Sequence, residues 1–237
     1  MSTSDPSCLS IADFDILDSL PSRSECDRCG QSRRFFCYDC RRLVPAIRDA
    51  VPTVQLPFNL HIVKHPKEKN SKSTAVHCEL LAPDTCKLYQ FPDQVLQYDP
   101  KTTLLLYPCA EASPLSAIPD LLSISTFVLL DCTWAQAAGM RRHAHLNALR
   151  TVKLHNYTTK FWRTQYKHPD TDLATVEAAY YLAREHQALC CATVAYSGQF
   201  DNLLYFYAYF LSKIKNETFI DQVSLSHNNE SSDADKN

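Results

Sequence analysis

The stretch FVLLDCTW, residues 127–134, decides the fold prediction for this chain. Its four apolar residues predict a buried β-strand, and helix-forming sequence follows at once. In open α/β sheets, ligands bind at the carboxyl ends of the strands. We therefore predict a binding site here, in which Asp131 offers a charge or a proton acceptor and Trp134 a flat stacking surface. The alternative is that Asp131 caps the helix and Trp134 fills the core.

Predicted strands and helices alternate on both sides of this stretch. The strands are expected at 59–64, 86–91, 102–107, 124–130 and 152–154, and the helices at 74–82, 134–149, 173–186 and 200–215. This alternation predicts an α/β fold, a mainly parallel sheet with helices on both faces. The last helix is rich in Tyr and Phe. It is either buried on several sides or the contact face of a homodimer.

The chain of 237 residues is long enough for one large domain with a small appendage. We expect residues 1–24 to be disordered or loosely attached, 25–45 to form a four-cysteine module, 46–216 to form the α/β domain, and 217–237 to be a disordered acidic tail. Only three glycines occur, far apart, at Gly30, Gly139 and Gly198. This excludes the G-x-G-x-x-G fingerprint and the P-loop.

The chain contains eleven cysteines, and the lack of signal-peptide features makes a reducing compartment inside the cell the expected location. The N-terminus lacks the basic and apolar segments of a signal peptide, and no apolar run has the length of a membrane span. We therefore expect no membrane partner, and we expect the cysteines to be metal ligands and packing residues rather than disulfides.

Four of the cysteines form two pairs, Cys26-x-x-Cys29 and Cys37-x-x-Cys40. A gap of two residues lets both sulfurs of a pair face one ion, and two such pairs complete a tetrahedral cage for zinc. Because four protein ligands leave no open coordination position, the predicted zinc is structural rather than catalytic.

Charge is unevenly distributed along the chain. Residues 1–25 and 217–237 carry ten of the 26 acidic residues, so 26–216 retain 22 basic and 16 acidic residues. A basic body is compatible with a polyanionic partner. The arginines assigned to RNA contact are Arg33, Arg34, Arg41, Arg42, Arg141, Arg142 and Arg163. Those beside the cysteines could instead be solvent-facing residues of a stabilising clip.

Polar residues also follow the other predicted strands. His65-Pro66-Lys67-Glu68 leaves the first strand, and Lys72-Ser73-Thr74 opens the next helix, where side chains and helix-terminal amides can hold an anion. Tyr107-Pro108 ends another strand and could lie beside them. The helix predicted at 173–186 begins with Thr175 and Glu177, and Glu177 most simply complements the helix dipole.

Taken together, these residues resemble the DTW-domain family. Asp131-x-Thr133-Trp134 matches its signature, and the cysteine pairs, the segments 65–68 and 107–108, and LATVEA at 173–178 follow in the family's order. The resemblance covers about 26–215, and segments 72–74, 81–83 and 161–163 look most like one eukaryotic branch. Cys132 fills the variable position. Ala174 replaces the usual capping Ser, so Asp172 or Thr175 is the expected cap.

This resemblance implies a tRNA-uridine aminocarboxypropyltransferase with a fold similar to the knotted SPOUT-type enzymes. Such an enzyme transfers the 3-amino-3-carboxypropyl group of S-adenosylmethionine to N3 of a uridine, at position 20 of the D loop in the related branch, in the nucleus or cytoplasm. The implied catalytic residues are Asp131, Thr133 and Trp134. The implied donor-binding residues are His65, Lys67, Glu68, Ser73, Thr74, Tyr107, Pro108, Asp131, Thr175 and Glu177.

Within this reading, Asp131 is the first candidate for the base that takes the N3 proton, or for gripping the donor's amino group. Trp134 would stack on a base, and Thr133 would orient it. Two other functions remain open: a tRNA methyltransferase that uses the same donor, and a non-catalytic, zinc-dependent RNA-binding protein.

Overall fold

The computed structural model describes residues 9–159 and 172–215 of the chain. The strands are β1 (Ser24–Glu25), β2 (Ser32–Arg33), β3 (Phe36–Cys37), β4 (Arg42–Leu43), β5 (Asn59–Lys64), β6 (Cys86–Gln90), β7 (Thr103–Leu106), β8 (Ser113–Pro114), β9 (Thr126–Asp131) and β10 (Arg150–Lys153). The α-helices are α1 (Asp15–Asp18), α2 (Ala75–Leu81), α3 (Trp134–Arg141), α4 (Ala144–Asn147), α5 (Thr175–Cys190) and α6 (Tyr205–Lys215).

A six-stranded sheet with the order β6-β5-β9-β7-β10-β8 forms the centre of the domain, and all neighbouring strands are parallel. The strand that ends in Asp131 lies inside this sheet, between β5 and β7. Phe127 and Val128 on it are fully buried, as expected of a strand covered on both faces. The predicted parallel α/β sheet is confirmed, whereas the SPOUT-like knot stays a prediction.

Helices cover both faces of the sheet, as predicted. Alternate residues of β9 face opposite sides, because side chains alternate along a strand. Phe127 packs into the larger core with residues of α2, α5 and α6. Val128 packs into a smaller core with Met140 of α3 and Leu146 of α4.

The helix predicted at 134–149 is broken into two. His143 leaves the helical conformation with φ −59° and ψ 133° and is the N-cap of α4. Its ring accepts a hydrogen bond from the backbone N–H of His145, the second residue of α4. The predicted helix at 200–215 begins as a 3₁₀ turn, Asp201–Leu204, before α6. None of the helices within 9–159 and 172–215 combines the length and apolar character needed to cross a membrane.

The N-terminal segment from residue 9 onward packs against the domain, in contrast to the expected loose attachment. Leu17 of α1 is fully buried. The Ser10 backbone N–H donates to Asp201 Oδ2 over 2.6 Å, and the Tyr209 hydroxyl donates to Asp18 Oδ1 over 3.0 Å. The prediction failed here because these partners lie about 190 residues away in sequence. Residues 217–237 lie outside the described part.

The aromatic residues of α6 belong to the core. Tyr205, Phe206 and Tyr207 are fully buried within this one chain. The first of the two interpretations of this helix is therefore correct for these side chains, and the homodimer stays a prediction.

Candidate active site

A cleft of about 480 Å³ opens at the carboxyl ends of β7, β9 and β10. Its walls come from the residues after these strands and from the beginnings of α2, α3 and α5. Among the residues lining it are Glu68, Ser73, Thr74, Tyr107, Pro108 and Trp134. The predicted site therefore lies where the strand-end rule places it.

Asp131 lies in the floor of the cleft, with only 4% of its surface exposed. The Ser73 hydroxyl donates to Oδ2 and the Thr175 hydroxyl to Oδ1, each over 2.7 Å. Burial raises the pKa of this carboxyl, an effect that the two hydroxyls and Lys64 oppose only in part. The carboxylate thus joins the end of β9 to the starts of α2 and α5.

Trp134, the first residue of α3, lines the cleft and keeps 39% of its surface exposed. The preceding residue, Thr133, is the N-cap, and its backbone N–H donates to Gln136 Oε1 over 3.0 Å. Both halves of the alternative are therefore wrong: Trp134 does not fill the core, and Asp131 does not cap the helix. The indole is available for stacking on a flat ring.

Cys132 lies between these residues and also lines the cleft. Burial, followed by the carboxylates of Asp131 and Glu68, raises the pKa of its thiol to about 12. Because the thiolate is the reactive form of cysteine, this side chain is a poor nucleophile near neutral pH.

Three of the predicted donor-binding residues do not line the cleft: His65, Lys67 and Glu177. The imidazole of His65 stacks on Phe91 with ring centroids 6.2 Å apart, and its Nδ1 accepts from the Lys67 backbone N–H over 3.1 Å. The loop after β5 therefore folds on itself, and only Glu68 of its three predicted donor-binding residues reaches the cleft.

Glu177 is a buried structural residue of α5. Its Oε2 accepts from the Ala174 backbone N–H over 2.8 Å and from the Thr159 hydroxyl over 2.6 Å, and its Oε1 accepts from the Tyr207 hydroxyl over 2.8 Å. The N-cap is Ala174, so the expectation that Asp172 or Thr175 caps this helix was wrong. The Glu177 carboxylate satisfies the helix end in place of a capping side chain.

The structure adds a segment that the sequence analysis missed. Residues 153–157, from the last residue of β10 onward, line the cleft; they include Lys153, His155 and Tyr157. The same rule that identified the end of β9 applies here, because polar residues follow the short strand in the sequence Lys-Leu-His-Asn-Tyr. Lys72, before α2, also lines the cleft.

The four predicted metal ligands lie together in one cluster. All ligand sulfurs of Cys26, Cys29, Cys37 and Cys40 lie within 4.8 Å of one another. Two hairpins, β1–β2 and β3–β4, bring the pairs into place, and Gly30 adopts φ +69° at the first turn. The cluster could hold a metal ion. The Cys29–Cys37 sulfur distance of 3.7 Å is close to the ~3.8 Å edge of a tetrahedral zinc–thiolate site.

Several of the arginines assigned to RNA have partners within the protein. Arg33 is buried and pairs with Asp39 over 2.7 Å, so its prediction as an exposed RNA contact is wrong. Arg41 donates to the Leu88 carbonyl over 2.7 Å and ties the cysteine module to β6. Further partners are Asp27 for Arg42, Asn147 for Arg141 and the Leu20 carbonyl for Arg34. Arg34, Arg41, Arg42 and Arg142 are exposed, and Arg163 lies outside the described residues.

The family model and the curated relatives that match this chain point to the same family. The DTW domain family matches residues 34–215. The tRNA-uridine aminocarboxypropyltransferase 1 of Mus musculus is 34% identical over 239 residues, which cover 82% of this chain and 78% of the mouse protein. The corresponding Homo sapiens protein is 30% identical and is covered to 78% by an alignment spanning 82% of this chain. The solved SAM-dependent rRNA:acp-transferase Tsr3 from Vulcanisaeta distributa gives a TM-score of 0.40 at 17% identity, covering 65% of this chain and 81% of Tsr3.

Proposed function

The chain belongs to the DTW-domain family, and on that premise we propose that it is a tRNA-uridine aminocarboxypropyltransferase. The donor substrate is S-adenosylmethionine. Its 3-amino-3-carboxypropyl group is transferred to N3 of a tRNA uridine, and methylthioadenosine leaves. The proposed target is the uridine at position 20 of the D loop.

One observation carries this proposal: the signature residues of the family meet in a single cleft of about 480 Å³ at the strand ends. Ligand pockets for small molecules have volumes of roughly 300–1,000 Å³. The cleft combines apolar side chains, such as Leu106 and Leu129, with a polar rim and the half-exposed indole of Trp134. A flat heterocycle and a charged amino acid moiety both find complementary surfaces there.

The cations at the rim suit the carboxylate of the donor or a phosphate of the RNA. Lys72 and Lys153 are exposed residues that line the cleft from opposite elements, before α2 and at the end of β10. Ser73 and Thr175 direct their hydroxyl protons at Asp131, so toward a ligand they would act as hydrogen-bond acceptors. The ammonium group of the donor is the complementary partner for such acceptors.

The transfer depends mainly on how the donor and the uridine are aligned, because the donor is already reactive and needs no nucleophile from the enzyme. The sulfonium of the donor activates three adjacent carbons, and the γ-carbon must be placed opposite the attacking nitrogen. Asp131, with its two hydroxyl partners, holds the two helix starts at fixed positions around that point. Trp134 would stack on adenine or uracil. The high pKa of Cys132 fits a direct transfer without a covalent enzyme intermediate.

The cysteine module would hold a structural zinc ion. Four thiolates within 4.8 Å of one another match the ligand number and type that zinc prefers in structural sites. The ion would fix the two hairpins, and through Arg41 the module is tied to β6 beside the sheet. Its proposed role is therefore stability and orientation of the module, with no part in the transfer.

The proposed macromolecular partner is tRNA. Of the described arginines assigned to RNA, Arg34, Arg41, Arg42 and Arg142 are exposed at the surface, where they would contact phosphates. Lys72 and Lys153 add positive charge at the rim of the cleft itself. Replacing a phosphate contact should weaken tRNA binding and reduce its salt dependence, which is the usual signature of such contacts.

The experiment that tests this function incubates the purified chain with S-adenosylmethionine and an unmodified tRNA transcript. Nucleoside mass spectrometry should detect aminocarboxypropyluridine, and chromatography should detect methylthioadenosine in equal amount. A transcript in which cytidine replaces the uridine at position 20 is the matched control for the site.

Each other outcome contradicts the proposal in a distinct way. A methylated nucleoside with S-adenosylhomocysteine would identify a methyltransferase. Tight tRNA binding with neither product would identify an RNA-binding protein. Product on the control transcript with cytidine at position 20 would refute position 20 while leaving the reaction intact.

A further inference from the structure

A histidine and a buried carboxylate form a pair at the cleft. His155 follows β10 and lines the cleft, and 64% of its side chain is exposed. Glu185 on α5 has only 6% of its side chain exposed. The distance from His155 Nδ1 to Glu185 Oε1 is 2.9 Å, and the His155 backbone N–H donates to the same oxygen over 2.8 Å. One carboxylate oxygen thus holds both the ring and its backbone.

This pairing determines the tautomer of the imidazole. An ionised carboxylate can only accept hydrogen bonds, so Nδ1 of His155 carries a proton when it contacts Glu185. In the neutral ring, Nε2 then has a free lone pair. A histidine oriented by a carboxylate in this way is suited to remove a proton from a substrate.

The segment that carries His155 is held firmly on α5. The ring of Tyr157 stacks on that of Tyr181 with centroids 3.8 Å apart and planes 6° apart. The Thr159 hydroxyl donates to Glu177 Oε2 over 2.6 Å. Together with the Glu185 contact, the ring stacking and the Thr159 hydrogen bond hold residues 155–159 against α5 at three points. A group that transfers a proton needs its position fixed in this way.

We propose that His155 is the general base of the transfer reaction, oriented by Glu185; this inference rests on the proposed function. Nε2 takes the proton from N3 of the uridine, and the N3 electron pair forms the bond to the γ-carbon of the donor. The bond between that carbon and sulfur breaks, and its electron pair stays on sulfur, which leaves as a neutral thioether. The positive charge of the sulfonium is thereby replaced by that of the imidazolium, which Glu185 stabilises until the proton passes to water.

The other acidic and basic groups around the cleft fit this role less well. Asp131 is 4% exposed, and each of its oxygens already accepts a hydroxyl bond. Around His155, the titratable and charged groups are Glu185, Tyr157 and Lys153, with Tyr181 and Arg184 of α5 facing Tyr157. Burial and then Glu185 raise the pKa of Tyr157, so the phenol stays protonated near neutral pH.

The test replaces His155 with Gln and measures steady-state transfer to tRNA across a range of pH. We expect kcat to fall about 100-fold or more, the usual contribution of a general base, with the dissociation constant for S-adenosylmethionine unchanged. The unmodified protein gives the reference pH profile. In His155→Gln no side chain takes the N3 proton, so activity should instead follow the ionisation of N3 itself and rise towards alkaline pH. His145→Gln, a partly buried histidine of α4 outside the cleft, is the matched control.

A second variant, Glu185→Gln, keeps an acceptor for the backbone N–H but removes the carboxylate that orients the ring. We expect a smaller loss of kcat and a shifted pH profile, with unfolding temperatures close to that of the unmodified protein. The proposal is overturned if a folded His155→Gln protein retains kcat and the original pH profile. If His155→Gln does not fold, an unaltered profile in Glu185→Gln overturns it. Absence of any aminocarboxypropyl product from the unmodified protein would instead refute the proposed function.

Discussion

The double-mutant cycle of Asp131→Ala and Ser73→Ala tests whether Asp131 acts as a clamp between structural elements. The Ser73 hydroxyl donates to Asp131 Oδ2 over 2.7 Å, and both side chains are buried. Hydrogen bonds to charged groups contribute roughly 1.5–3 kcal/mol each, so we expect a coupling energy of about that size in the free energy of unfolding. Ser73 Oγ also accepts from the Ala75 N–H, but both arms of the cycle that lack Ser73 lose this bond, so it cancels.

The assay is urea unfolding of the four proteins, followed by circular dichroism, with transfer activity measured on the same samples. The slope of the unfolding free energy with urea should stay constant, because the cycle changes a contact and not the size of the core. Thr175→Val with Asp131→Ala forms a second cycle on the other oxygen, from which we expect a similar coupling. Effects that add within about 0.5 kcal/mol in both cycles would refute the clamp.

Three further predictions follow from the site. Trp134→Ala should weaken binding of the donor or the tRNA by a factor corresponding to roughly 1–3 kcal/mol, measured by titration calorimetry, while Trp134→Phe should retain most of it; equal affinity in all three proteins would refute stacking. Cys26→Ser, or a strong chelator, should remove one equivalent of zinc measured by elemental analysis and lower the unfolding temperature, and a metal-free protein of unchanged stability would contradict a structural site. Because burial raises the folded-state pKa of Asp131, this carboxyl contributes stability below its unfolded pKa that is lost as the pH rises through the folded pKa. The unfolding free energy of Asp131→Asn relative to that of the unmodified protein should therefore increase from acidic to neutral pH. Parallel urea titrations in which this difference decreases would refute the raised pKa of Asp131.

Short-range patterns in the sequence were enough to predict the frame of the site. The apolar run before Asp131 predicted β9, and the residues after it predicted the start of α3 at Trp134, because strand burial and helix initiation depend on neighbouring residues. The two Cys-x-x-Cys pairs predicted a four-sulfur cluster for the same reason, since the spacing of ligands within a turn is a local property.

Tertiary packing decided what each side chain in that frame does. Asp131 receives its two hydroxyl partners from positions 58 and 44 residues away in sequence, and Glu185 meets His155 across 30 residues. Such contacts depend on how α2 and α5 dock against the carboxyl edge of the sheet, and no periodicity within one segment records that arrangement. The indole stays open to solvent while the adjacent carboxylate is enclosed, because burial is a property of the assembled helices and strands and not of residue type.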